Sequence, residues 1–170
     1  MPSCIVVEAS ADKAAAVRVT ARRAESGPPQ ILAVDDDPII RELLRLHLSN
    51  AGYDVVVAED AIAAGKLLLQ SKPALLLVDV DMPYMNGFEF VAAIKDDPDF
   101  RSIPVVFLTG HENAEKRAAE LGAIRCLTKP IFSQQLISAL GAIVPVRDPQ
   151  ASETRTIGSR IVTAVIRAVT

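Results

Sequence analysis

Five short, mostly apolar runs lie between residues 30 and 145, and longer stretches with a helical repeat separate them. The runs are rich in Val, Leu and Ile and show no strict alternation of apolar and polar residues. This pattern is typical of strands that are buried on both faces of a parallel sheet. The predicted strands span residues 31–34, 54–58, 74–78, 104–108 and 123–127.

The stretches between and after these runs place apolar residues three or four positions apart, which predicts helices. The first helix begins near Pro38, which suits a first turn, and Asp37 before it is expected to be a turn or cap residue. Its apolar residues are Ile39, Ile40, Leu43, Leu44 and Leu48. The other helices are predicted at about 60–71, 87–96, 112–121 and 133–143, with Asp60 and Ser133 as N-caps. Alternation of five strands with five helices predicts a doubly wound α/β fold.

Residues with chemical potential follow four of the five predicted strands. Acidic residues follow the first and third strands, a threonine and a glycine follow the fourth, and a lysine follows the fifth. These residues are Asp35, Asp36, Asp79, Asp81, Thr109, Gly110 and Lys129. In doubly wound folds ligands bind at the carboxyl ends of the strands, so these groups are expected to converge. Clustered carboxylates beside a lysine and a hydroxyl suit Mg²⁺ and a phosphoryl group, with an aspartate as nucleophile.

Four short motifs resemble those of the receiver domain of two-component response regulators. They are Ile31-Leu-Ala-Val-Asp-Asp-Asp-Pro38, Leu76-Leu-Val-Asp-Val-Asp-Met-Pro-Tyr-Met-Asn-Gly87, Phe107-Leu-Thr-Gly110 and Leu127-Thr-Lys-Pro130. The resemblance covers residues 30–145, which form the predicted receiver domain. It implies a flavodoxin-like, doubly wound five-stranded parallel sheet in the order 2-1-3-4-5 with five helices, as in single-domain chemotaxis receivers.

The resemblance implies that Asp79 is the phosphoacceptor. The family's acceptor is followed by Pro four positions later and by Gly eight positions later. Pro83 and Gly87 satisfy both requirements for Asp79, whereas Asp81 satisfies neither. The implied phosphodonor is a phosphohistidine on a sensor histidine kinase or a phosphotransfer protein.

The resemblance also implies Mg²⁺ as the cofactor. The carboxylates of Asp36 and Asp79 are expected to bind the ion directly, together with the backbone carbonyl of Asp81. Asp35 is expected to act through the second shell or a bound water.

The remaining motif residues are implied to hold the phosphoryl oxygens. Lys129 is expected to balance their charge, and the Thr109 hydroxyl and the Gly110 backbone N–H are expected to donate hydrogen bonds to them. The Lys129–Pro130 peptide is expected to be cis.

Three positions modify this pattern. Cys126 stands three residues before the lysine, where the family usually has the Tyr or Phe that moves with the switch threonine, so altered coupling is expected. Cys126 itself is expected to be an apolar filler rather than a redox sensor. Asp81 and His111 stand two positions beyond Asp79 and Thr109, where they are expected to tune phosphoryl lifetime. For His111, an exposed residue at a helix N-terminus is the alternative.

The flanks are less informative. Residues 1–29 end in a Gly-Pro-Pro run and are predicted to be a flexible N-terminal extension. Residues 146–170 are predicted to be a linker and a short C-terminal amphipathic helix. Its apolar residues are Ile157, Ile161, Val162, Val165, Ile166 and Val169. This helix is compatible with packing on the receiver, with pairing in a homodimer or with the stub of a lost output domain, and its β-branched residues also suit a strand.

Composition excludes several classes of function. The net charge is −3 and aromatic residues make up 4%, so neither a basic surface nor a stacking platform for nucleic acid is expected. No apolar run reaches membrane-spanning length and no secretory signal is evident, which favours a cytoplasmic protein without membrane contact. Cys4 and Cys126 match neither a disulfide framework nor a zinc pattern.

The favoured function is therefore a phosphorylation-dependent switch that signals through contacts with a downstream protein, whose identity the sequence does not give. It would catalyse only its own phosphotransfer and dephosphorylation. One alternative is a receiver-like scaffold that does not respond to phosphorylation, which Cys126 favours. Another is a haloacid-dehalogenase-like phosphatase, because the segment from Asp79 to Met82 resembles that family's first motif. The paired acids of that family lie downstream of the motif, whereas Asp35 and Asp36 lie upstream.

Overall fold

The computed structural model of the protein describes residues 27–111 and 113–146. The predicted C-terminal helix and most of the predicted N-terminal extension lie outside these residues. The five predicted strands form one parallel sheet in the order β2-β1-β3-β4-β5, which confirms the predicted fold. The strands are β1 Gln30–Val34, β2 Asp54–Ala58, β3 Leu75–Asp79, β4 Val105–Thr109 and β5 Arg125–Thr128.

Five helices follow the strands in alternation. They are α1 Pro38–Asn50, α2 Ala61–Gln70, α3 Gly87–Asp96, α4 Ala114–Glu120 and α5 Ser133–Ile143. Asp37 and Asp60 cap α1 and α2, since their carboxylates accept hydrogen bonds from Ile39 N and Ala63 N. The prediction of Ser133 as an N-cap is wrong: Phe132 holds the extended cap position, and Ser133 is already the first helical residue.

Two hydrophobic cores lie on the two faces of the sheet, because side chains alternate along each strand. Leu32 and Val34 of β1 join the core that contains buried residues of α2, α3 and α4. Ile31 and Ala33 join the other core, with buried residues of α1 and α5. Strands β3 and β4 are buried along their whole length, whereas β5 at the edge is partly exposed.

The strand order places the loops after β1 and β3 side by side at the carboxyl edge of the sheet. Successive connections from these two strands run to opposite faces, which opens a crevice between them. Within the described ranges, no helix is long and apolar enough to cross a membrane.

Candidate functional site

Three carboxylates meet in the crevice at the carboxyl edge of the sheet. Asp35 directly follows β1 and is fully buried, and Asp79 is the last residue of β3 and is only 2% exposed. Asp36 is exposed beside them. Each of the three offers an oxygen atom, and these atoms lie within 4.8 Å of one another. The structure therefore brings together the acidic residues that the sequence predicts to converge.

Lys129 reaches into this acidic cluster from the neighbouring edge strand. Its Nζ atom lies 2.9 Å from Asp35 Oδ2 and 3.0 Å from Asp79 Oδ2. The backbone N–H of Lys129 donates to the Thr109 carbonyl at 2.7 Å, which extends the pairing of β4 with β5 past Thr128. The Lys129–Pro130 peptide is cis, as the resemblance implies.

The charges in this cluster do not balance. Burial raises the pKa of the Asp79 carboxyl group, and the hydrogen bond and charge of Lys129 only partly offset that effect. Burial alone would lower the pKa of Lys129, but Asp35 and Asp79 together outweigh it and raise that pKa. One ammonium group thus serves three clustered carboxylates, so a further cation with a preference for oxygen ligands would fit here.

Asp35 has no free carboxylate oxygen. Its Oδ1 atom accepts a hydrogen bond from Asp37 N at 2.9 Å, and its Oδ2 atom accepts one from Lys129 Nζ. Arg41 of α1 fixes the same loop, because its guanidinium group donates to the carbonyls of Asp35 and Asp36 at 2.8 and 2.9 Å. Sequence reasoning missed Arg41, since an arginine in the first turns of a helix gives no signal of a carbonyl contact.

Thr109 and Gly110 line the next position along the edge. Thr109 is the last residue of β4 and is 1% exposed, and its hydroxyl oxygen accepts a hydrogen bond from His111 N at 3.0 Å. The backbone N–H of Gly110 points at the Asp81 carboxylate, 3.4 Å from Oδ2. The donor that is expected to serve a phosphoryl oxygen is thus directed toward an acidic side chain.

Asp81 and His111 form a contact across the mouth of the crevice. His111 Nε2 lies 2.9 Å from Asp81 Oδ1, and both side chains are largely exposed. The sequence places each residue near the site separately, but it gives no sign that they contact each other, because they are 30 positions apart.

Gly87 is required where α3 begins. A Cβ atom there would lie 2.1 Å from the Asp79 carbonyl oxygen and 3.0 Å from Val80 Cα. The Gly87 backbone N–H donates to the Val80 carbonyl at 3.0 Å. The glycine eight positions after Asp79 is therefore a close backbone contact that fixes the end of β3 against α3.

Cys126 is half-buried in β5, opposite Phe107 of β4. Burial raises the pKa of its thiol, and the charge of Glu115 adds to this, so the thiolate is disfavoured. The side chain packs against the core that contains Phe107 and lines a pocket of about 240 Å³ between α4 and β5. This environment agrees with the expected role as an apolar filler.

The fold and this crevice define a class of protein: an α/β domain with an acidic site and a conformationally coupled lysine at the carboxyl edge of its sheet. The family model described as the response regulator receiver domain matches residues 31–141. The chain belongs to this family, a family of signalling domains that are generally not enzymes. Family membership removes the support for the haloacid-dehalogenase-like alternative.

Individual relatives agree with this assignment. The "uncharacterized 14.6 kDa protein in sodA1 3′ region" of Leptolyngbya boryana is 42% identical over 109 residues, which are 63% of this chain and 83% of that protein. RpaA of Synechocystis, a DNA-binding dual master transcriptional regulator, is 34% identical over 74% of this chain. This chain spans only 54% of RpaA.

A solved structure shows the same fold. The chemotaxis protein CheY4 of Vibrio cholerae is 32% identical and superposes with a TM-score of 0.65. The match covers 69% of this chain and 99% of the CheY4 chain. A domain of the described extent therefore exists as a complete chain in a related protein.

Proposed function

We propose that Asp79 accepts a phosphoryl group from a phosphohistidine on a sensor histidine kinase or a phosphotransfer protein. The contact between Lys129 Nζ and Asp79 Oδ2, at 3.0 Å, carries this proposal. It places a cation beside the carboxylate oxygen that would attack phosphorus. In the transfer, a bond forms from this oxygen to phosphorus, the bond from phosphorus to the histidine nitrogen breaks, and the imidazole leaves and takes up a proton.

The groups around Asp79 suit the negative charge that arrives with the phosphoryl group. Lys129 can shift its ammonium group from Asp35 and Asp79 to an equatorial phosphoryl oxygen. The Gly110 N–H can donate to a second oxygen once it leaves the Asp81 carboxylate, and the Thr109 hydroxyl is within the same edge of the site. Phosphorylation would thus redirect hydrogen bonds in the loop after β4.

The donor set fits Mg²⁺. In this proposal the carboxylates of Asp36 and Asp79 and the backbone carbonyl of Asp81 would hold the ion. Asp35 would act indirectly, in agreement with the two hydrogen bonds that already occupy its oxygens. When bound, the ion supplies charge neutralisation that lets an anionic nucleophile approach an anionic donor.

Asp81 and His111 are proposed to tune the lifetime of the phosphorylated state. Both side chains stand over the mouth of the crevice, where water must approach phosphorus. The contact between them holds both side chains near the line of attack. Output is proposed to proceed through contacts with a downstream protein, and the pocket beside Cys126 shows that the space between α4 and β5 is not filled.

The test is incubation with acetyl phosphate or phosphoramidate in the presence of Mg²⁺. An adduct with the mass of one phosphoryl group, stable in acid and labile in base, is expected on the unmodified chain. Asp79→Asn is expected to abolish it. Asp96→Asn, which changes an exposed acid at the end of α3, is the matched control and is expected to retain it.

Two results would contradict the proposal. An adduct of equal yield in Asp79→Asn would place the acceptor elsewhere, and a complete lack of adduct with either donor would favour the phosphorylation-independent scaffold. Omitting Mg²⁺ and adding a chelator tests the metal separately, since the yield is expected to fall while the fold stays intact by circular dichroism.

A further inference from the structure

Helix α1 carries a second apolar stripe on its exposed side. Ile39, Leu43 and Leu46 are 69%, 44% and 49% exposed, and their spacing of four and three positions puts them on one face of the helix. Leu44 and Leu48 point into the core from another face. We call Ile39, Leu43 and Leu46 the α1 stripe. A contiguous group of large exposed apolar side chains marks a surface that something else covers.

The described chain leaves the fold beside the C-terminal end of the same helix. The Tyr53 hydroxyl donates to the Val144 carbonyl at 2.9 Å. A Cβ atom at Gly52 would lie 3.0 Å from Val146 Cγ1, and Gly52 is only two residues beyond the end of α1. The residues that follow Val146 therefore start at the end of α1 that carries Leu46.

Residues 157–169 have the apolar content that this surface needs. In a helix, Ile157, Ile161, Val162, Val165, Ile166 and Val169 would occupy one side. Arg160 and Arg167 would occupy the other side. A 13-residue helix is about 20 Å long, the same length as α1, which also has 13 residues. A helix this short is marginal by itself and gains stability only from a surface on which to pack.

Chain length and side of exit favour α1 over the other exposed apolar positions. Residues 147–156 span up to about 33 Å when extended, which exceeds the length of α1. Ile62 and Leu69 of α2 are also exposed, but α2 packs on the opposite face of the sheet. Helix α5, which leads to Val146, packs on the same face as α1. The α1 stripe is thus the nearer surface on the side where the chain leaves.

We infer that residues 157–169 pack as an amphipathic helix on the α1 stripe, antiparallel to α1. The contact does not depend on Asp79 being a phosphoacceptor. It has a consequence for the site, because Ile39 lies at the N-terminal end of α1 and donates its N–H to Asp37, one residue after Asp36. A segment that covers Ile39 narrows the approach of a protein to the acidic crevice and leaves it open to small phosphodonors.

Methyl NMR on the full chain tests this contact directly. With Ile, Leu and Val methyl groups labelled, nuclear Overhauser cross-peaks are expected between Leu43 and either Ile161 or Val165. Leu43→Asp is expected to shift the methyl signals of residues 157–169, and Val165→Asp is expected to shift those of the α1 stripe. Leu69→Asp is the matched control, since it changes an equally exposed leucine on α2, and it is expected to shift neither set.

Hydrogen exchange gives a second measure. The amides of residues 157–169 are expected to exchange on the order of tenfold more slowly in the unmodified chain than in Leu43→Asp, because docking by a short linker acts at millimolar effective concentration. Equal exchange in both, without cross-peaks to Leu43, would overturn the inference. Cross-peaks found only between differently labelled chains would also overturn it, since a second copy would then cover the stripe.

Discussion

Replacing Gly87 by Ala should destabilise the domain through contact with the backbone of Asp79. The new methyl group would lie 2.1 Å from the Asp79 carbonyl oxygen and 3.0 Å from both Asp79 C and Val80 Cα. All three are backbone atoms at the end of a fully buried strand, so no flexible side chain can move aside. Overpacking of this kind costs about 1–3 kcal/mol, and we expect the upper half of that range, about 2–3 kcal/mol.

Gly65→Ala is the matched control. Gly65 lies inside α2, and a Cβ atom there would meet nothing within 4 Å. The same substitution is therefore expected to raise stability by about 0.5–1 kcal/mol through the higher helix propensity of Ala. The pair separates steric contact from the general effect of removing a glycine from a helix.

Urea denaturation monitored by circular dichroism measures both variants. For a domain of this size, each kcal/mol corresponds to roughly 3–5 °C in Tm, so Gly87→Ala should melt about 6–15 °C lower than the unmodified chain. It is also expected to slow adduct formation with acetyl phosphate, since the displaced backbone is that of Asp79. Gly87→Ala with unchanged stability would refute the steric argument, and a loss of similar size in Gly65→Ala would show that glycine content rather than contact matters.

Three further outcomes are expected. In a metal-free buffer, Asp79→Asn should raise the stability at neutral pH: the pKa of Asp79 is raised in the folded state, so stability falls as pH rises from the ordinary value of about 3.9 through the raised one, by about 1.4 kcal/mol for each pKa unit. A pH profile of urea midpoints that is the same in both proteins would contradict this. Asp37→Ala should cost about 1 kcal/mol, because the carboxylate that accepts from Ile39 N at 2.7 Å caps α1, and an unchanged midpoint would rule out the cap. His111→Ala should change the decay rate of the phosphorylated chain by several-fold without changing its fold, as followed by mass spectrometry, whereas an identical decay would argue against the tuning role.

The acidic site was predictable because its residues follow strands with a clear apolar pattern. Asp79 and Lys129 could be placed at one edge of the sheet from strand ends alone, and the resemblance added the sheet order. The apolar pattern of α1 was less informative: Ile39 and Leu43 belong to it as much as Leu44 and Leu48 do, yet the first two are exposed. Apolar residues cover too much of this helix for periodicity to distinguish its buried face.

Contacts between residues that are distant in sequence and polar at the surface could not be predicted. The pair formed by Asp81 and His111, and the bonds from Arg41 to the loop after β1, depend on side-chain reach in three dimensions. Ser133 failed as a cap for a related reason, because the backbone after the cis Lys129–Pro130 bond sets where α5 begins, and serine preference does not.

The position of each strand in the sheet gives the site one stiff side and one compliant side. Asp79 and Thr109 end the two strands that are buried along their whole length, so displacing either would disturb both cores. Lys129 follows the edge strand, which has one neighbour and several exposed side chains. A group that enlarges the site will therefore be accommodated mainly at the lysine, like an object held between a fixed and a sliding jaw. Adjustments at the site would then be transmitted first to the outer edge of the sheet.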